Sequence, residues 1–179
     1  RMPSDARFAQ VACVWEATAR KVGNVHRFAD FAGTTYLDFL LSSVAVGEAV
    51  AAGGGVGPTV LAAVRGTREL VGQNTNLGIV LLLAPLAGAD LRSRLAALTV
   101  ADTRDVYTAI RLARPGGLGD APDQDVRDEP TVTLRDAMRL AADRDLVARQ
   151  YANGFTDVFE FGVPVFLAAF ETHGCVEAA

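Results

Sequence analysis

A chain of 179 residues, 50% hydrophobic and 21% charged, carries enough apolar material for one folded domain and needs no disulfide or metal staple. Its net charge of -4 and 17 scattered basic residues lack the basic, aromatic-interleaved stripe of a nucleic-acid binder, so no nucleic-acid partner is expected. The longest apolar run, Leu77 to Ala89, has Pro85 inside it and falls short of the ~20 residues a bilayer span needs, so no membrane partner is expected either.

Helical periodicity runs through the chain and no segment alternates as a half-buried strand does, which predicts an all-α fold: a single globular multi-helix domain over residues 1–179. The first helix is predicted from Asp5 to Arg20, where Val11, Val14, Trp15 and Thr18 lie three or four apart; it breaks at Gly23-Asn24. A second runs from Thr35 to Ala51, and after a linker of glycines at 53–57 a third runs from Pro58 to Leu70, with Pro58 suited to a first turn whose amides are unpaired anyway. Further helices are predicted over Leu77 to Ala87, Leu91 to Leu98, Thr99 to Ala113, Thr133 to Ala142, Asp143 to Ala152 and Val163 to Thr172. Thr35-Tyr-Leu-Asp38, Thr99-Val-Ala-Asp102 and Thr133-Leu-Arg-Asp136 each put a hydroxyl at an N-cap and a carboxylate three residues on, which gives these acids a structural reading. The stretch from Arg114 to Pro130, rich in Pro, Gly and Asp, reads as a functional or mobile loop.

Several familiar chemistries are excluded. Gly55-Val-Gly57-Pro-Thr-Val60 lacks the third glycine of a dinucleotide fingerprint and follows no strand, and no P-loop pattern occurs. The acidic run Asp120 to Glu129 puts Asp128 where an EF-hand needs glycine, and flanking Gly and Pro disfavour a magnesium-diphosphate helix, so it reads as a solvated loop in preference to a cation site. His26, His173, Cys13 and Cys175 have no zinc spacing. The two cysteines, with no cleavable hydrophobic leader in the chain, read as small core residues in a reducing compartment, which gives a cytoplasmic expectation; His173, near the end of an apolar helix, reads as structural.

Two polar segments stand out. Glu16-Ala-Thr-Ala-Arg20-Lys21-Val-Gly23-Asn24-Val-His26-Arg27-Phe-Ala-Asp30 crowds acid, base and cation into a helix break, and holds Lys21, the only lysine. There His26 reads equally as a base or phosphate donor and as a helix cap. The second, Arg65 through Gly72-Gln73-Asn74-Thr75-Asn76-Leu77-Gly78, is a helix end, a polar elbow and a helix start. Free N–H groups and a positive dipole end there suit an anion, while an Asn/Thr cap on a buried helix explains the same residues structurally. A third polar run, Asp143-Arg-Asp145-Leu-Val-Ala-Arg149-Gln150-Tyr151-Ala-Asn153-Gly-Phe155, follows much later.

Taken together and in this order, the three runs resemble the ATP:dephospho-CoA triphosphoribosyl transferase family, also called triphosphoribosyl-dephospho-CoA synthases, from about Val11 to the end of the chain. The family's E-x-x-x-x-K-P-G-x-V is matched by Glu16, Lys21, Gly23 and Val25, with Val22 for the proline, and Asp38 lies where an acid is expected in the helix-opening segment that follows. Its N-T-H-K-G elbow is matched by Asn74, Thr75 and Gly78, with Asn76 and Leu77 for the His and Lys. The N-P-G-x-x-A-D stretch of the family does not occur, so the chain is expected to lack the family's C-terminal part.

What the resemblance implies is transfer of a triphosphoribosyl unit from ATP to a ribose hydroxyl of dephospho-CoA, or another ribosyl acceptor, with release of adenine, making a prosthetic-group precursor. Breaking an N-glycosidic bond through an oxocarbenium-like centre calls for a carboxylate, a base and cations on the triphosphate. Glu16 and Asp38 are assigned as base or magnesium-supporting carboxylates, with Mg2+ expected to accompany ATP, and His26 as a spare proton carrier. Arg20, Lys21 and Arg68 are assigned to the triphosphate, with Gly23 and Asn24 in the first break and Asn74, Thr75 and Gly78 in the elbow. Two alternatives stand beside this reading: a related ribosyl or phosphoribosyl transferase of another cofactor pathway, such as a pterin one-carbon carrier, and a non-catalytic helical binding protein. A homo-oligomer is compatible with the sequence.

Overall fold

The computed structural model describes residues 4–88, 90–114 and 124–174. Among them the fold is all-helical, with no strand beyond two isolated bridges in one loop. The helices are α1 (Ser4–Thr18), α2 (Tyr36–Ala52), α3 (Val56–Val71), α4 (Leu77–Leu86), α5 (Leu91–Ala96), α6 (Val100–Ala113), α7 (Leu134–Ala141), α8 (Leu146–Asn153) and α9 (Val163–His173), with a π-helical stretch, Asp157–Gly162, leading into the last. No described helix is long and apolar enough to cross a membrane.

Start signals place the helices as the sequence suggests. Thr35 and Thr99 each accept from the backbone three residues on while Asp38 and Asp102 reach back, completing two capping boxes, and Thr133 accepts from the Asp136 backbone. Asp145, expected inside a helix, is instead the N-cap of α8, its carboxylate taking the Ala148 N–H at 2.8 Å. The glycine linker is shorter than expected: Gly53, Gly54 and Gly55 turn the chain with positive φ, but Gly57 lies inside α3. A Cβ on Gly57 would stand 2.6 Å from the Asp102 Cα, and its N–H donates to Asp102 Oδ1 at 2.9 Å, so glycine here lets α3 and α6 touch backbone to backbone.

The core forms around α3, which buries Val56, Val60, Leu61, Ala63 and Val64, and packs against α2, α4 and α6. In α1 the helix is where the spacing of Val11, Val14, Trp15 and Thr18 puts it, though that stripe is not the buried face. Val11 and Trp15 are exposed, and the buried face is Ala6, Ala9, Cys13 and Ala17, because small residues let α1 lie close on α2. Cys13 is a free, buried thiol as expected, while Cys175 lies outside the described residues, as does the part of the acidic loop from Asp120 to Asp123. Within the described remainder Asp125 is buried and grips Arg127, so it is not solvated. His173 is exposed in the last turn of α9, which has no buried residue, so no core role falls to it.

Burial, reinforced by the nearby Glu16 charge, pushes the Cys13 thiol from 9.0 to about 12, and burial likewise raises the Tyr107 and Tyr151 phenols. A group whose value is higher folded than unfolded contributes stability that is complete below the unfolded value and lost as pH rises toward the folded one. Denaturation midpoints are therefore expected to hold up to about pH 9 and decline beyond it, and Cys13→Ala is expected to flatten the first part of that decline. Urea titrations at stepped alkaline pH measure both.

Candidate active site

The first polar segment is a structured loop between α1 and α2. Lys21 folds back on the last turn of α1, donating to Glu16 Oε1 at 2.6 Å and to the Glu16 carbonyl, while Glu16 Oε2 is buried and has no partner. Gly23 supplies a positive φ, the Asn24 N–H donates to the Lys21 carbonyl, and Val25 pins the loop to the core. Two tight turns follow, closed by paired backbone bonds between His26 and Ala29 and between Phe31 and Thr34. His26 Nδ1 accepts the Phe28 N–H at 3.2 Å, so the imidazole caps a turn of its own loop instead of a helix. The guanidinium groups of Arg20 and Arg27 lie over the Phe28 ring, at 5.1 and 4.4 Å from its centroid. The loop is tied at its ends: Thr18 Oγ1 meets the Tyr36 hydroxyl at 2.9 Å, and Asp30 Oδ1 accepts the Tyr36 N–H at 2.6 Å.

The elbow begins where Gly72 ends α3 in the left-handed region. Asn74 Oδ1 accepts the Leu77 N–H at 3.2 Å, satisfying one orphan amide of α4. Thr75 and Asn76 turn inward: Thr75 Oγ1 meets Ser42 Oγ at 2.6 Å, and Asn76 Nδ2 donates to Thr67 Oγ1 at 2.9 Å. Leu77 is a core residue. Thus the positions where the sequence departs from N-T-H-K-G serve packing in this chain. Gly78 is exposed and faces open space.

Gln73, which sequence reasoning passed over, joins the two segments. Its amide accepts from Thr34 Oγ1 at 2.7 Å and donates to the Gly33 carbonyl at 2.9 Å and to Asp38 Oδ2 at 3.2 Å. The same Asp38 oxygen accepts the Thr35 N–H at 2.7 Å, so the carboxylate is held at the α2 start by donors from both segments. The loop carrying Lys21, Asn24 and His26 and the elbow carrying Asn74 and Gly78 are therefore clamped to one another. Spacing rules could not reveal this, because the partners of Gln73 lie 35 to 40 residues away. Arg68 takes no part in the clamp; its guanidinium donates to the Leu112 carbonyl at 2.7 Å and fastens α3 to the end of α6. Gln73→Leu is expected to remove about 1.5–4.5 kcal/mol of loop ordering, at roughly 0.5–1.5 kcal/mol for each of its three lost bonds. Limited proteolysis should then cut between residues 20 and 35 faster than in the parent.

Among the described residues no group of three or more His, Cys, Asp or Glu side chains could hold a metal ion. A half-buried carboxylate paired with a lysine on the loop, and a second half-buried carboxylate held by the elbow's Gln73 beside the amide-rich start of α4, suit a polyanion that brings its own cation.

A model of the family described as ATP:dephospho-CoA triphosphoribosyl transferase matches residues 3–179. No curated protein and no solved structure matches the chain.

Proposed function

The chain belongs to the ATP:dephospho-CoA triphosphoribosyl transferase family, and we propose that its two clamped hinges hold the triphosphate of ATP while the triphosphoribosyl unit passes to a ribose hydroxyl of dephospho-CoA and adenine leaves. Triphosphoribosyl transfer onto dephospho-CoA, in the making of a prosthetic group, is what the family is built for. The choice of ATP as donor and the release of adenine belong to the proposal.

The observation that carries it is the Gln73 clamp, which joins the carboxylate-and-lysine loop to the α4 elbow and so gives one polyanion two sets of donors. In the transfer the bond from the ribose anomeric carbon to the adenine nitrogen breaks, its electron pair leaving with adenine, which takes up a proton. The acceptor hydroxyl bonds to that carbon and gives its proton to a base. Glu16 suits the base, since Lys21 fixes Oε1 and Oε2 is left without a partner. Asp38, with Oδ2 already taken by Thr35 and Gln73, suits electrostatic support of the oxocarbenium-like centre. Lys21 and Arg20 reach phosphate oxygens from the loop, Gly23 and Asn24 offer turn amides, Asn74, Thr75 and Gly78 shape the elbow, and His26 stands by as a proton carrier. Mg2+ arriving with ATP would be held by Asp38, or by Glu16 if another group serves as base, together with the phosphates, the carboxylate-plus-phosphate donor set it prefers, and would neutralise triphosphate charge.

The test is adenine release from ATP measured with dephospho-CoA and Mg2+ both present and with each omitted. Release that needs all three supports the reading. Release indifferent to dephospho-CoA, or none with all three present, contradicts it.

A further inference from the structure

Between α4, α8 and the start of α9 runs an apolar groove of about 410 Å3, within the usual size of a small-molecule site, lined by Leu82, Leu146, Val147, Val163 and Phe166. One polar side chain on its wall is left incomplete. Gln150 is 94% buried; its Nε2 donates to Asp157 Oδ2 at 2.8 Å, which fixes which way the amide faces, and its Oε1 is a buried acceptor with no partner.

Resting on the acceptor reading above, we propose that this groove takes an aliphatic chain bearing amide N–H groups, the pantetheine arm of the acceptor, with Gln150 Oε1 accepting one of those N–H groups. A mostly apolar wall, with Asp157 already taken by Gln150 and Arg149 and one buried acceptor left over, suits a chain that brings its own donor. The groove shares α4 with the elbow: Gly78 and Leu82 are one helical turn apart on the same face of that helix, about 6 Å along its axis. On the α9 side, Phe166 of the groove wall stacks on Trp15 of α1, at 6.4 Å between centroids. The rim is the π-helical stretch Asp157–Gly162, which follows Phe155, a buried residue held at φ 65, and a wider helical turn of this kind is often found at functional sites.

The test is a titration of the full chain with pantetheine, followed through Trp15, the chain's one tryptophan. A saturable change in emission is expected with pantetheine and none with a glycol dimethyl ether of similar length, which has no hydrogen-bond donor. Leu146 is 68% exposed at the first position of α8, where a carboxylate is favourable, so Leu146→Asp is expected to fold and to weaken pantetheine binding about 10-fold or more. No saturable response to pantetheine, an equal response to the donor-free diether, or unchanged affinity in the variant overturns the proposal. Pantetheine binding in a protein that fails to release adenine would sink the acceptor reading and leave the groove assignment standing.

Discussion

Glu16→Gln is expected to lower the rate of adenine release by about 100-fold or more at saturating ATP and dephospho-CoA, the usual loss when a positioned general base is neutralised. The substitution keeps the shape of the side chain, so the Lys21 Nζ still finds an oxygen, but the charge that would draw a proton from the acceptor hydroxyl is gone. Stability should barely change. The Glu16–Lys21 pair is about a third exposed, with side chains at 35% and 30%, and pairs this open contribute roughly 0–1 kcal/mol. Steady-state kinetics beside a thermal melt separates the two effects. A variant within threefold of the parent removes Glu16 from the chemistry and passes the role of base to Asp38 or His26.

Tyr151→Phe is expected to cost about 1–3 kcal/mol, a large effect for one oxygen atom. Its cause lies in another helix. Pro85 sits inside α4 and has no N–H, so the Leu81 carbonyl four residues before it loses its helical partner in the core. The fully buried Tyr151 hydroxyl donates to that carbonyl at 2.6 Å and closes the gap, joining α8 to α4. Without it a buried acceptor is left unpaired. Pro85→Ala restores the missing donor, so the loss from Tyr151→Phe should shrink by about 1 kcal/mol or more in the Pro85→Ala background, beyond any cavity term shared by both. Chemical denaturation of the four proteins in this cycle decides it, and strictly additive losses would show that the hydroxyl does not serve Leu81.

How much of this was legible in the sequence depended on whether the cause was local. The helices were legible, because a threonine with an aspartate three residues on carries its own start signal, as Thr35–Asp38 and Thr99–Asp102 show. The family resemblance was legible for the same reason, since Glu16, Lys21, Asn74 and Thr75 sit in short runs. What failed was non-local. Periodicity marked the Val11–Trp15 stripe of α1, yet close packing on α2 selects the small residues of the other face. Arg68 looked available for phosphate because its partner, the Leu112 carbonyl, is 44 residues away. Gln73 was read as one more elbow residue, though it carries the clamp between the segments. The π-helical stretch had no local signature to find; it follows Phe155, which turns the chain after α8, and its Asp157 accepts from Gln150 and Arg149, seven and eight residues back.

The claim on which the rest depends is that the loop after α1 and the elbow before α4 grasp one ligand together. Amide hydrogen exchange of the full chain with and without ATP and Mg2+ tests this most directly. Simultaneous slowing in peptides covering residues 19–35 and 72–79 is the predicted result. Protection confined to one of the two, or found elsewhere with both unchanged, would contradict a shared polyphosphate cradle.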